Sequence, residues 1–159
     1  DSVVISEYAI LDGRTEADEA SLMLGDRTIL SNNVMLSCKN GSIAIGCDVG
    51  INAQTVIQST TGNEVTIGND CVIGQRCVVI GGGNYDIGNR QELIRTSPIT
   101  KDGGVRIDHN VWLGANVSVL GGVTMGQGSV AGAGAVVSRS IPSFSICMGV
   151  PARVVSERT

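Results

Sequence analysis

The sequence predicts an all-β chain wound as a parallel β-helix. The expected shape is a triangular prism of about five coils, with one long protruding loop at 80–106 and a C-terminal cap. Three observations carry that prediction. Aliphatic residues recur every six positions, which is neither the 3.6 period of a helix nor the 2 of a plain strand. Glycine is abundant (22 of 159) and aromatics make up 3%, so a core drawn from 42% hydrophobic residues must use small and branched aliphatics. Every long insertion into the repeat falls in the same hexad of its coil. A β-sandwich with glycine-rich turns gives no reason for a period of six or for insertions in register.

The elements follow in chain order as one domain. Residues 1–23 are an irregular lead-in. Within it, 3–11 reads as a strand or an incomplete coil, and 12–20, "DGRTEADEA", as an acidic turn or loop. Residues 24–142 are hexapeptide coils. Fifteen units begin with Leu, Ile, Val, Met or Ala, the first at Leu24 and the last at Val137. Each unit is a short strand plus a turn, and three units close a coil of eighteen residues.

The leading aliphatic should point inward and stack on its counterpart in the next coil. Four positions later sits a small or β-branched residue, such as Val49, Thr55, Cys71, Cys77, Val117 or Ser129. It should face inward near a corner, where only a small side chain fits. Gly, Asn and Asp are expected at the corners because they tolerate φ > 0. The third hexad gains three residues at 36–44, four at 57–66 and twenty-two at 79–106. All three excursions should leave one corner of the prism. Residues 143–159 break the hexad and are expected to cap strand edges that would otherwise stay unpaired.

Composition narrows the function. Net charge is −4 with no Lys/Arg cluster, which argues against a nucleic-acid partner. No apolar run approaches the ~20 residues of a membrane span, and no signal-peptide pattern is present. The five Cys are odd in number and lack CxxC spacing. With a single His, they do not make a zinc site. Free thiols in a reducing, cytoplasmic setting are the simplest reading. No metal is expected.

The C-terminal third, "IDHNVWLGANVSVLGGVTMGQGSVAGAGAVVSRSIPSFSICMGVPARVV", resembles the ending of the hexapeptide-repeat acyltransferases. Their I-G-x-N-V-W-I-G, G-V-T-I-G, G-A-G-S-V-V-T-K and G-x-P-A-[KR]-V segments appear at 107–114, 122–126, 132–139 and 149–154. The resemblance covers 24–155 and is nearest to the branch with galactoside, maltose and antibiotic acetyltransferases and polysaccharide O-acetyltransferases. It implies a left-handed β-helix and a homotrimer. It also implies acyl-CoA, with acetyl-CoA the expected co-substrate, in the cleft between neighbouring prisms. The acceptor would be a sugar or another small polar molecule.

Carried over by motif, the CoA-binding positions are Gly114, Ala115, Ala133 and Ser138, with Arg139 and Arg153 as phosphate ligands. Gly114, Gly132 and Gly134 leave backbone amides open to an extended ligand, and Arg supplies forked donors for phosphate. Trp112, the single Trp, is expected to pack at the subunit interface or touch substrate.

Acyl transfer to a hydroxyl or amine needs a proton acceptor, most often an imidazole. The family places that His at the start of the long loop, where this chain has "GGGNYD" at 81–86. The only His is His109, expected to point outward at a corner. Asn84 and Asp86 are the other catalytic candidates, with Tyr85 positioned to stack on a sugar. The loop also carries Arg90, Glu92, Arg95 and Lys101 and is expected to reach a neighbouring protomer.

Two functions remain after this reading: an acyl-CoA-dependent O- or N-acyltransferase, or a β-helix binding or assembly subunit that has lost catalysis. A γ-class carbonic anhydrase needs three His ligands and is excluded. The β-helix of a sugar nucleotidyltransferase would need a nucleotide-binding domain as well.

Overall fold

The computed structural model describes residues 2–16, 21–60 and 62–159. The chain winds as a left-handed β-solenoid with three flat parallel sheets as the faces of a triangular prism. The first face stacks Val4–Ile5, Ile29–Leu30, Gly50–Ile51, Val72–Ile73, Trp112–Leu113, Val130–Ala131 and Ser145–Met148. The second stacks Ile10–Asp12, Met35–Lys39, Val56–Thr60, Val78–Gly81, Ser118–Val119 and Val136–Val137. The third stacks Leu22–Leu24, Ser42–Ile45, Glu64–Ile67, Val105–Ile107 and Val123–Met125.

The prism is one coil longer than the five read from the repeat. Strands in the lead-in pair in parallel with the next coil at Val4↔Ile29, Ile10↔Met35 and Leu22↔Ile43. The period is hidden there because 13–21 inserts between the second and third faces. Residues 17–20 of the acidic stretch lie outside the described residues.

Fourteen of the fifteen leading aliphatics are buried, and Leu24 is half-buried. They stack in register, as in Leu30↔Ile51↔Ile73↔Leu113↔Ala131 on the first face. The small residues four positions on are buried too. Several add a bond that volume alone does not require. Thr28 and Thr55 donate to the corner carbonyls of Gly46 and Gly74, 2.8 and 2.9 Å away. The Cys71 and Cys77 thiols reach the carbonyls of Asp108 and Gly114, both at 3.1 Å. These donors satisfy carbonyls inside the turn that water cannot reach.

The corners use two different devices. In twelve of the fifteen units the residue three positions after the leading aliphatic has positive φ, as at Asp48, Asp70, Asn110 and Asn116 (56–60°). That matches the expectation for Asn and Asp. Glycine one position after the aliphatic answers a different need. A Cβ on Gly68 would lie 2.8 Å from the His109 nitrogen, and one on Gly114 would lie 2.7 Å from the Ala133 nitrogen. These glycines admit the backbone of the next coil.

All long excursions leave the second corner, between the second and third faces, as expected. The longest is a structured arm. Asn84–Tyr85 pairs antiparallel with Ile99–Thr100, and a 3₁₀ turn at Ile94–Thr96 lies between them. At the C-terminal end, Arg153–Glu157 folds back antiparallel on Ser145–Met148, with Ala152 6% exposed beneath. No described helix is long and apolar enough to cross a membrane.

All five cysteines are free thiols. Burial pushes the Cys38, Cys71, Cys77 and Cys147 thiols up from their ordinary range. A folded thiol pKa above the unfolded value favours folding while the thiol stays protonated in both states. That contribution is lost as pH rises past the unfolded value of about 8.5. The thermal midpoint is therefore expected to hold from neutral pH to about 8 and fall above it. Brief iodoacetamide treatment of the native chain should mark Cys47, which is half-buried, and spare the other four. Peptide mass mapping checks this, and native labelling of Cys71 or Cys77 would contradict the packing.

Candidate active site

A cleft of about 630 Å³ runs along the outside of the first face toward the first corner, between the first and second faces. Trp112, Gly114, Ala115, Gly132 and Ala133 line it, with Arg158 at the C-terminal end. They converge because 113→114 and 131→132 are equivalent steps of successive coils, stacked by Leu113↔Ala131. Gly114 and Gly132 lack side chains for packing reasons, and apolar side chains such as Val72, Trp112, Val130, Ile146 and Met148 make up much of the remaining wall. Trp112 is 55% exposed and stands on the outer side of the sheet.

The structure gathers Gly114, Ala115 and Ala133 at one cleft and adds Trp112, which was expected at the subunit interface or on substrate. It places the three polar candidates elsewhere. Ser138 and Arg139 follow the second-face strand Val136–Val137 and fall at the second corner. Arg153 opens the last strand, and its guanidinium donates to its neighbour's carbonyl, Ala152 O, at 2.9 Å. The cation that does line the cleft is Arg158, which donates to Gly128 O at 3.3 Å. Hexad register already separates 139 from 114, since Val137 leads a second-face unit and Leu113 a first-face unit. Arg158 lies beyond the repeat and had no such signal.

His109 sits at the third corner, between the third and first faces, its side chain 54% exposed. It lines a separate groove of about 490 Å³ over the third face, with Arg106 and Asp108. Its Nδ1 accepts the Asn69 backbone N–H at 3.1 Å. One coil below, Asn69 Oδ1 accepts the Cys47 backbone N–H at 2.9 Å. The imidazole therefore caps a corner donor in the same way as the Asn beneath it. With Nδ1 accepting, the neutral ring carries its proton on Nε2, which lies 3.9 Å from Asp108 Oδ1. A general base working through Nε2 needs the opposite tautomer, with Nδ1–H given to an acceptor.

His109→Asn is expected to keep the cap and the melting temperature, whereas His109→Ala should lose about 1 kcal/mol. Thermal unfolding of the two variants checks this. Equal losses in both would contradict the capping role.

Asn84, Tyr85 and Asp86 lie on the first strand of the arm and its end, all exposed. Asp86 Oδ1 accepts the Gly88 N–H at 2.9 Å. Within one chain these residues and His109 occupy different corners.

At the root of the arm is a polar staple that the sequence did not reveal. Asp102 Oδ2 accepts the Gly82 N–H at 3.0 Å and the Asn84 side-chain amide at 2.9 Å. Asp102 Oδ1 accepts the Gly104 N–H at 2.9 Å. Asn63, only 4% exposed, accepts from the Asp102 and Gly103 nitrogens at 3.2 and 3.3 Å. The glycine run has a backbone reason. Gly82 has φ +85°, and a Cβ there would lie 2.5 Å from Thr60 Oγ1.

The fold is a hexapeptide-repeat β-helix with a cleft along its first face. The family model described as the hexapeptide repeat of succinyl-transferase matches residues 64–83 and 104–139, and the gap between them is the arm. A hexapeptide-repeat acetyltransferase of Vibrio cholerae O1 biovar eltor, solved with acetyl coenzyme A, superposes with a TM-score of 0.74 at 27% identity. That match covers 86% of this chain and 71% of the other. A protein of Staphylococcus aureus (strain COL), assigned as an acetyltransferase, is 48% identical over 61 residues. These are 38% of this chain and 31% of that relative, so the chain matches about a third of the relative's length. An acetyltransferase-like crystal structure from Bacillus cereus shares the fold over 99% of this chain, with a TM-score of 0.76 at 18% identity. The chain thus carries the hexapeptide repeat at 64–83 and 104–139 and is similar to these acetyltransferases over the stretches given.

Proposed function

We propose that the protein binds acyl-CoA, with acetyl-CoA the expected co-substrate, and transfers the acyl group to the hydroxyl or amine of a sugar or another small polar acceptor. The observation that carries this reading is the first-face cleft. Gly114, Ala115, Gly132 and Ala133 form a side-chain-poor edge of a cleft otherwise walled largely by apolar side chains, Trp112 among them. That edge suits a pantetheine arm, which needs backbone partners and close approach. The Vibrio cholerae neighbour, solved with acetyl coenzyme A, supports the choice of ligand. Arg158 is the cation best placed along the cleft for a phosphate. Arg139 and Arg153 remain candidates from a neighbouring chain or the cap.

The distribution of outward residues supports a homotrimer. The first face presents Val4, Ile29, Val72, Trp112, Val130 and Ile146 in register, and the second presents Ile10, Met35, Val56, Val78 and Val136. The third face presents Met23 at its N-terminal end and then Ala44, Thr66, Arg106 and Thr124. Two different apolar faces suit a heterologous ring that closes with threefold symmetry. The first face of one prism would meet the second face of the next. That packing carries the neighbour's arm, with Asn84, Tyr85 and Asp86, toward the cleft and His109. Asp86, with one carboxylate oxygen outside the turn bond, is the arm's titratable candidate for accepting the nucleophile's proton.

The second reading, a binding subunit without turnover, is favoured by the glycines at 81–83 and by the proton on His109 Nε2. One experiment separates the two. Acetyl-CoA is titrated by calorimetry, and thiol release is followed across a panel of sugars and amino sugars. Binding with release supports transfer, and binding without release supports the second reading. Absence of binding removes both the CoA assignment and the transfer.

A further inference from the structure

We infer that Asp102 is a positioning residue for the acceptor site: it holds the Asn84 side chain so that its carbonyl oxygen faces outward from the arm. This rests on the transferase reading for its meaning but not for its geometry. A carboxylate only accepts hydrogen bonds. The Asn84 atom 2.9 Å from Asp102 Oδ2 is therefore the amide nitrogen, and this assigns the amide orientation. The same Oδ2 takes the Gly82 N–H and Oδ1 takes the Gly104 N–H, so both strands of the arm's root are tied to one side chain.

The carboxylate is itself confined. Asn63, buried in the corner of the coil below, holds the Asp102 backbone nitrogen. On the coil above, Gly121 leaves room where any Cβ would fall on the carboxylate. Thr100 Oγ1 bonds the Asn84 backbone carbonyl at 3.1 Å, which fixes the strand that bears it. An exposed amide would ordinarily rotate freely. Here one of its donors is engaged, and its acceptor is presented to any hydroxyl or amine brought against the arm. Asn84 and Asp86 lie two positions apart at the end of this strand, both exposed.

The test uses the full chain with Asp102→Asn and Asn84→Ala, singly and together. Hydrogen exchange of the Gly82 and Gly104 amides reads the staple without any need for turnover. Both should be protected in the wild type and exchange faster in Asp102→Asn; unchanged protection overturns the staple. Kinetics with an accepted acceptor read the positioning. Each single variant should lower acceptor kcat/KM by about 10²-fold, the scale of a misplaced reacting group. Acetyl-CoA affinity should change far less than acceptor kcat/KM, because neither residue lines the first-face cleft. The double variant should lose less than the product of the two single effects, since both remove the Asn84–Asp102 contact. If Asn84→Ala keeps full acceptor kcat/KM, Asp102 only braces the arm and the positioning role is overturned. If the wild type binds acetyl-CoA and turns over no acceptor, the transferase reading fails, while the exchange result still decides the staple.

Discussion

Gly74→Val is expected to destabilise the prism by about 3 kcal/mol or more, close to loss of folding for a marginally stable domain. A Cβ at this position would lie 2.7 Å from the Gly114 carbonyl carbon and 2.8 Å from the Ala115 nitrogen. Neither is the end of a flexible side chain. The two coils are also tied at this point, because the Gly74 N–H bonds Leu113 O at 2.8 Å. The neighbour can move only by breaking the ladder. The contrast is Gly50→Ala. Gly50 sits on the outer side of the first face, and a Cβ there meets nothing within 4 Å. That change should be neutral or stabilising by about 0.5 kcal/mol, because it reduces the freedom of the unfolded chain. Thermal unfolding of the two variants checks the pair. A Gly74→Val protein as stable as wild type would mean that the coils are not packed in this register.

Ala133→Trp is expected to lower acetyl-CoA affinity by tenfold or more, a loss of about 1.4 kcal/mol for each factor of ten. Ala133 is exposed, and its methyl group opens onto the cleft. A large ring there fills space that the ligand needs and makes no demand on the core. The melting temperature should stay near wild type, as for most surface substitutions. Calorimetric titration of the variant beside wild type reads the effect. Unchanged affinity would move the ligand away from the first face.

Much of this arrangement is legible in the sequence because a solenoid repeats one local solution. The ladder Leu30–Ile51–Ile73–Leu113–Ala131 follows from the six-residue period, and the second-corner excursions follow from the position of the insertions. The first coil is not legible, because an insertion breaks the period before a second repeat can establish it. The glycines after the leading aliphatics are visible, but their reason is not. Positive φ belongs to Asp48, Asp70, Asn110 and their equivalents, while Gly74 and Gly114 make room for the next coil.

The cleft is half legible. Ala115 and Ala133 lie one coil apart in the repeat, whereas Arg158 comes from beyond it. The Asp102 staple is invisible to any local pattern. Its bond to Asn63 spans 39 positions and forms only once the arm has returned to its corner. His109 shows the opposite limit. Its position is legible, but its tautomer depends on one backbone N–H in the coil below.

The most direct measurement of the central claim uses Trp112, the single tryptophan of the chain and a wall of the cleft. Its fluorescence, excited at the red edge to avoid adenine absorption, is followed while acetyl-CoA is added and calorimetry records binding on the same sample. A saturable spectral change with the same midpoint as the heat, absent in Ala133→Trp once the new ring's signal is subtracted, is the predicted result. Heat of binding with no response from Trp112, or no binding at all, would contradict the first-face cleft as the acyl-CoA site.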